Sequence, residues 1–153
     1  MELVLWRHAD AEEGQSDMKR ELTEKGRKQA DRMAQWLKPR MDGKWRVLVS
    51  PAARARQTAD ALGVDYKVCL TLGPLDTEDA LLREVEWPAN ERNVLVVGHQ
   101  PTFGRVAARL LTGQRGDLTI KKASVWWFSS KLEEEVSQGQ TLLRTVIAPD
   151  FVE

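Results

Sequence analysis

Short apolar runs alternate along the chain with longer amphipathic stretches, the pattern of strands separated by helices in a layered α/β domain. Leu3 to Trp6 is the first such run and reads as a buried strand. A charged, polar loop follows over residues 10–21, carrying Gly14 and Ser16. Thr23 reads as the N-cap of a helix running to about Lys38, in which Leu22, Ala30, Met33, Ala34 and Leu37 form one buried stripe. Pro39 and Gly43 close that helix. Arg46 to Val49 is a second strand, and Ser50-Pro51 directly after it has the form of an N-cap with proline at the first helical position. The helix predicted from there runs to Gly63.

Tyr66 to Leu70 reads as a further strand, and Thr77 as the cap of a short helix to about Glu86. The clearest strand is Asn93 to Val97, followed at once by Gly98-His99-Gln100-Pro101. A helix from Thr102 to Leu111 ends at Gly113, and residues 123–128 and 142–147 form a late hairpin or edge pair. There is no internal repeat, low-complexity tract or linker. The 153 residues therefore predict one domain spanning 1–153, α/β and three-layered, with a mostly parallel sheet and helices on both faces.

Composition narrows the function classes. Apolar residues make up 42% and charged residues 30% of the chain, with 23 Lys plus Arg against 23 Asp plus Glu. A neutral balance argues against nucleic-acid binding, which draws most of its affinity from phosphate neutralisation. No apolar run is long enough to span a bilayer, and MELVLWRHAD lacks the basic start and long apolar stretch of a signal peptide. Cys69 is the single cysteine and reads as a buried apolar residue. A cytoplasmic protein is expected.

In parallel sheets ligands sit beyond the carboxyl ends of the strands, and three predicted strands end there in chemically unusual residues. The first ends in Arg7-His8, the second in Ser50-Pro51 with Arg54 just beyond, and the clearest in Gly98-His99. His8 and His99 are the only histidines in the chain. A lone histidine at a strand end is more often a hydrogen-bonded structural residue, Arg7 alone suits a surface ion pair, and Arg56 competes with Arg54 for the inward position. Convergence of two histidines and two arginines on one sheet edge shifts that balance. Guanidinium forks match phosphate oxygens, and a neutral imidazole among them can attack phosphorus. The second histidine can stabilise charge on the equatorial oxygens. The set suits phosphoryl transfer through a phosphohistidine, with no metal or other cofactor required.

Longer stretches carry a family resemblance. LVLWRHADA resembles the Arg-His-Gly segment that opens proteins of the histidine phosphatase (phosphoglycerate mutase-like) superfamily. VLVSPAARARQTADAL is similar to its second hallmark, VLVVGHQPTFGRVAARLL to its third, and RELTEKGRKQA to the Leu-Thr-x-x-Gly helix start between the first two. The order is right and the motifs cover nearly the whole chain. By length and by its GHQP wording the chain most resembles the SixA-type phosphohistidine phosphatases, the short branch without a cap domain. The resemblance implies a phosphoglycerate mutase-like fold, His8 as nucleophile, and Arg7, Arg54 and His99 as catalytic phosphate-pocket residues. Arg20 matches an arginine of the short branch that reaches toward the same pocket; a solvated loop charge is the other reading of it.

Two departures matter. Ala9 stands where the superfamily has glycine, so the backbone there is expected at negative φ. Larger members also supply a carboxylate that protonates the leaving oxygen; Asp76, Glu78 and Asp79 lie in the corresponding interval, where helix-dipole complementation is the favoured reading. Without a strong acid the pocket suits a phosphoramidate, whose imidazole leaves more readily than an alkoxide. The span from Gly63 to Asn93 is too short for a cap, so the site is expected to admit a residue displayed on a protein. Trp126, Trp127 and Trp87 are candidate contacts for such a partner, although helix cover of the tryptophan pair is favoured. The expected function is thus a cofactor-independent, monomeric phosphohistidine protein phosphatase of signal transduction. A phosphatase of a small metabolite, or a non-catalytic phosphate-binding module, would use the same residues.

Overall fold

The computed structural model describes residues 1–14, 16–131 and 140–152. Strand β1 (Glu2–Arg7) lies inside the sheet with both faces covered, which is why its sequence is a continuous apolar run rather than an alternating one. Leu3 and Leu5 point into one core, Val4 and Trp6 into the other. Beside β1 runs β4 (Asn93–Gly98), then β2 (Trp45–Val49), then the two-residue edge strand β3 (Lys67–Val68), all parallel. On its other side β1 pairs antiparallel with β5 (Val125–Lys131), which pairs antiparallel with β6 (Gln140–Ile147). The order is β3-β2-β4-β1-β5-β6. The expected mostly parallel sheet is there, with an antiparallel pair at one edge.

Helices α1 (Glu24–Leu37) and α2 (Ala53–Asp60) cover the face of Val4 and Trp6, through Ala30, Met33, Leu37, Ala55 and Ala59. Helices α3 (Glu78–Val85) and α4 (Thr102–Thr112) cover the opposite face through Leu81, Val85, Phe103 and Val106. Caps start α1 and α3 as the sequence suggests: Thr23 accepts from Gly26 N at 2.9 Å and Thr77 from Ala80 N at 3.2 Å. Gly26 has a second role, because a Cβ there would lie 2.0 Å from the Asp10 carbonyl oxygen. Only glycine lets α1 approach the loop after β1 this closely. Gly26→Ala is therefore expected to destabilise the fold by at least about 1–3 kcal/mol, the usual cost of overpacking; an unchanged urea midpoint would contradict this.

Four expectations are corrected. Helix α2 begins at Ala53, not at Pro51 behind a Ser50 cap, and ends at Asp60, ahead of Gly63. The Ser50 hydroxyl is committed to His99 and to the Ala52 amide and does not cap the helix. Strand β3 is two residues rather than Tyr66 to Leu70, because the chain enters a 3-10 turn at Leu70. Strand β5 starts at Val125 because Ala123 takes a left-handed φ of 61°. The favoured expectation for the tryptophan pair, cover rather than exposure, agrees with the structure: Trp127 is buried edge-on against Trp36 and Trp45, and Trp126 is half-buried on the α3–α4 side beside Phe128. Trp87 is half-buried, packed against the same core with part of its surface exposed.

Candidate active site

Ladder hydrogen bonds continue one residue past the strand ends, His8 N donating to Gly98 O at 3.0 Å and Ser50 N to Val97 O at 3.0 Å. This aligns His8, Ser50 and His99 along the carboxyl edge of the parallel strands. The two imidazoles lie 5.2 Å apart between centroids. Behind them, Ala9 N donates to Thr58 Oγ1 (3.0 Å) and that hydroxyl donates to Arg54 O (2.7 Å), locking the turn after β1 to α2. Ala9 is fully buried and is not among the positive-φ residues, as its side chain requires.

His8 is 6% exposed. Its Nδ1 lies 2.8 Å from Ala9 O, and a carbonyl can only accept, so Nδ1 carries the proton and Nε2 keeps its lone pair. That lone pair faces Arg54, whose Nε lies 3.4 Å away. Burial, reinforced by the charges of Arg54, Arg7 and Arg20, pushes the His8 pKa down to about 4, against the raising effect of the Ala9 bond. His99 is pushed down to about 3, first by burial and then by His8 and Arg54. Its Nε2 is 2.6 Å from Ser50 Oγ, and its buried Nδ1 has no partner.

Both histidines are thus held neutral at pH 7, and the linkage to stability has a definite sign. The unfolded chain takes up these protons near pH 6.5 and the folded chain only near 4 and 3. Stability is therefore expected to fall as pH drops from about 6.5 toward 4, by on the order of 1.4 kcal/mol per pH unit per histidine. Urea unfolding across that range measures it; a flat profile, or one rising toward acid, would contradict burial of neutral imidazoles.

Three guanidiniums surround the pair. Arg54 is 4% exposed. Arg7 donates from NH1 to Ile120 O at 2.8 Å and keeps a buried, unpartnered Nε; burial, then the neighbouring Arg54, lowers its pKa. Arg20 does not touch His8. It donates to Glu12 O (2.6 Å) and to Asp17 Oδ1 (3.2 Å), and Asp17 in turn bridges to Arg54.

Asp17 is the residue that sequence reasoning missed. Arg54 donates from NH1 to its carbonyl (2.7 Å) and from NH2 to its carboxylate (3.2 Å). The carboxylate thus occupies one edge of the Arg54 guanidinium. Burial pushes its pKa up, but bonds from Arg20 and Arg54 outweigh this and hold it below the usual carboxylate range. The only sequence signal is an acid three residues before Arg20. Asp17→Asn is expected to tighten binding of inorganic phosphate about two- to five-fold, the worth of a largely exposed ion pair; weaker binding in a calorimetric titration would contradict competition by the carboxylate.

The acids considered between the second and third hallmarks are engaged otherwise. Asp76 accepts from Gly73 N at 2.7 Å and closes a turn, Asp79 pairs with Arg109 at 2.7 Å, and Glu78 lies in the first turn of α3. Among the described residues no three His, Cys, Asp or Glu side chains are grouped to hold a metal ion.

Comparison with known proteins agrees with the architecture. The histidine phosphatase superfamily (branch 1) matches residues 3–88. The phosphohistidine phosphatase SixA of Escherichia coli (strain K12) is 33% identical over 123 residues, 74% of this chain and 76% of that protein. An uncharacterized protein of Picosynechococcus sp. is 36% identical over 139 residues, 82% of each chain. The solved structure of the protein histidine phosphatase SixA complexed with tungstate is similar at a TM-score of 0.81, with 28% identity and 98% of both chains covered. The chain belongs to the histidine phosphatase superfamily. Within it the chain falls in the SixA-type branch, with that branch's phosphoglycerate mutase-like fold, and it is a phosphohydrolase.

Proposed function

We propose that the protein is a phosphohistidine protein phosphatase that works through a covalent phosphohistidine on His8. The observation that carries this is the His8 tautomer: a neutral imidazole with its proton tied to Ala9 O and its Nε2 lone pair directed at the Arg54 guanidinium. When the phosphoryl group displaces the Asp17 carboxylate, Nε2 attacks phosphorus in line. The phosphorus–nitrogen bond of the substrate breaks, and its imidazole leaves with the electron pair and takes a proton from solvent. Water then attacks phosphorus, releasing inorganic phosphate and restoring neutral His8. Arg7, through its free Nε, Arg54, and His99, through Nδ1, hold the equatorial oxygens in both steps. Arg20 acts through Asp17.

Leaving-group chemistry supports the substrate class. Asp17 is the carboxylate bonded to Arg54 and Arg20, and its lowered pKa keeps it ionised at neutral pH and a poor proton donor. An alkoxide leaving from a sugar or serine phosphate needs that proton, whereas an imidazole does not depend on it to the same degree. A phosphohistidine peptide is therefore expected to exceed glycerol phosphate in kcat/KM by at least about a hundredfold, the lower range of what a general acid contributes. Equal turnover would instead favour a small-metabolite phosphatase. We further propose a cytoplasmic monomer. No helix among the described residues is long and apolar enough to cross a membrane, and the Cys69 thiol, its pKa raised by burial and by Glu84, is not a reactive thiolate.

A further inference from the structure

A groove of about 890 Å³ opens beside Arg7, between the N-terminal half of α1, the segment before β5 and residues 148–150. Its lining is strongly one-signed. Lys25, Lys28 and Arg32 come from α1 and Lys121 and Lys122 from the facing segment, with Arg7 at the end nearest His8. The carboxylates in the lining are Glu24 and Asp150. Lys28 pairs with Glu24 at 3.6 Å and Lys122 with Asp10 at 2.9 Å. Among the described residues Lys25, Arg32 and Lys121 have no carboxylate within ion-pair distance. In a chain of zero formal net charge this is a local concentration of positive charge.

The groove is continuous with the phosphate seat through Arg7, which contributes to both. A phosphoryl group beside His8 answers the charge of Arg7 and Arg54 but does not reach the cations farther along α1. Those would be complemented by negative charge on whatever is attached to the phosphoryl group. The space is many times the size of a phosphoryl group, and the stems of the exposed lysines offer apolar walls. We infer that this groove docks an acidic segment of the polypeptide that carries the phosphohistidine, so that acidic side chains lie along α1 while the phosphorylated imidazole faces His8. This rests on the phosphohistidine-protein reading above. Because both contacts belong to one chain, the second is made intramolecularly, and modest surface attraction adds to selectivity.

The test uses two synthetic peptides, each with one phosphohistidine, flanked by four glutamates or by four glutamines. At low salt the native enzyme is expected to turn over the glutamate peptide with a kcat/KM about tenfold higher, a preference that disappears near 1 M salt, where screening acts within about 3 Å. Lys25→Gln/Lys121→Gln is expected to remove most of the preference, and Lys25→Glu/Lys121→Glu to reverse it, with aryl phosphate hydrolysis unchanged in both. Those exposed positions lie outside the catalytic set, so unchanged aryl phosphate turnover also shows that the variants are folded. Equal turnover of the two peptides, unaffected by the substitutions, overturns the docking groove and leaves the phosphohistidine substrate standing. Turnover of aryl phosphate but of neither peptide overturns the substrate class itself. A short single-stranded DNA that inhibits as strongly as a non-phosphorylated glutamate peptide overturns the assignment to a polypeptide.

Discussion

His8→Ala is expected to lower kcat/KM for a phosphohistidine peptide by at least about four orders of magnitude, the scale on which loss of a covalent nucleophile is felt. The reasoning begins with the strand. β1 is held on both sides by β4 and β5, so its last turn is fixed, and His8 leaves it with its amide on Gly98 O and its carbonyl accepting from Ala123 N. The ring stands with Nδ1 on Ala9 O and Nε2 toward Arg54. His99, the other neutral imidazole beside the guanidiniums, has its Nε2 engaged with Ser50 and is given the donor role through Nδ1 in the mechanism proposed above. His8→Ala removes a buried ring without removing a buried charge, since burial keeps that ring neutral down to about pH 4, and the fold is expected to survive. Activity within about tenfold of the native enzyme, in a folded variant, would place the nucleophile elsewhere.

Arg54→Ala carries the second largest expectation, a fall of about 10²–10³ in kcat/KM, the range for loss of one preorganised donor to transition-state charge. Arg54 sits in the first turn of α2, and Thr58 fixes its backbone by donating to Arg54 O while accepting from Ala9 N. That arrangement brings the guanidinium beneath His8 and turns its remaining edge to the Asp17 position. Arg54→Lys keeps the charge but loses the fork, so it is expected to recover only about tenfold. A folded Arg54→Ala enzyme with activity within threefold of native would mean that Arg7 and His99 suffice for phosphoryl binding.

The mutual reach of these groups explains how much the sequence disclosed. His8 and His99 were legible because each follows an apolar run whose burial on both faces leaves little doubt about the strand, and parallel strands end at the binding edge. Thr23 was legible as a helix cap for local reasons, a hydroxyl three residues from the amide it caps. Ser50 was misread for the opposite reason. Its hydroxyl stands before a proline, the form of an N-cap, yet a histidine 49 residues away takes it, and α2 starts three residues later. Asp17 was hidden altogether, since its carboxylate meets a guanidinium 37 residues on, and only the path of the loop after β1 brings them together. The tryptophan pair shows the same limit. Strand alternation sends Trp126 and Trp127 to opposite faces, but that Trp36 and Trp45 cover one of them is a fact of packing between separate elements.

The loop residue changes the picture of the pocket as well. Asp17 places a carboxylate against Arg54, in a cluster that otherwise holds buried or half-buried guanidiniums and two neutral imidazoles. In the proposed mechanism the phosphoryl group exchanges for this carboxylate at Arg54 instead of bringing a first anion into an uncompensated cluster.

Covalent capture tests the central assignment most directly. The enzyme is incubated briefly with a peptide labelled on its phosphohistidine, quenched in alkali, digested and mapped. Phosphohistidine survives base and is lost in acid, so we expect label that is base-stable and acid-labile, confined to the fragment containing His8 and absent from His8→Ala. Label on the fragment containing His99, or turnover by His8→Ala at the native rate without any label, would contradict it.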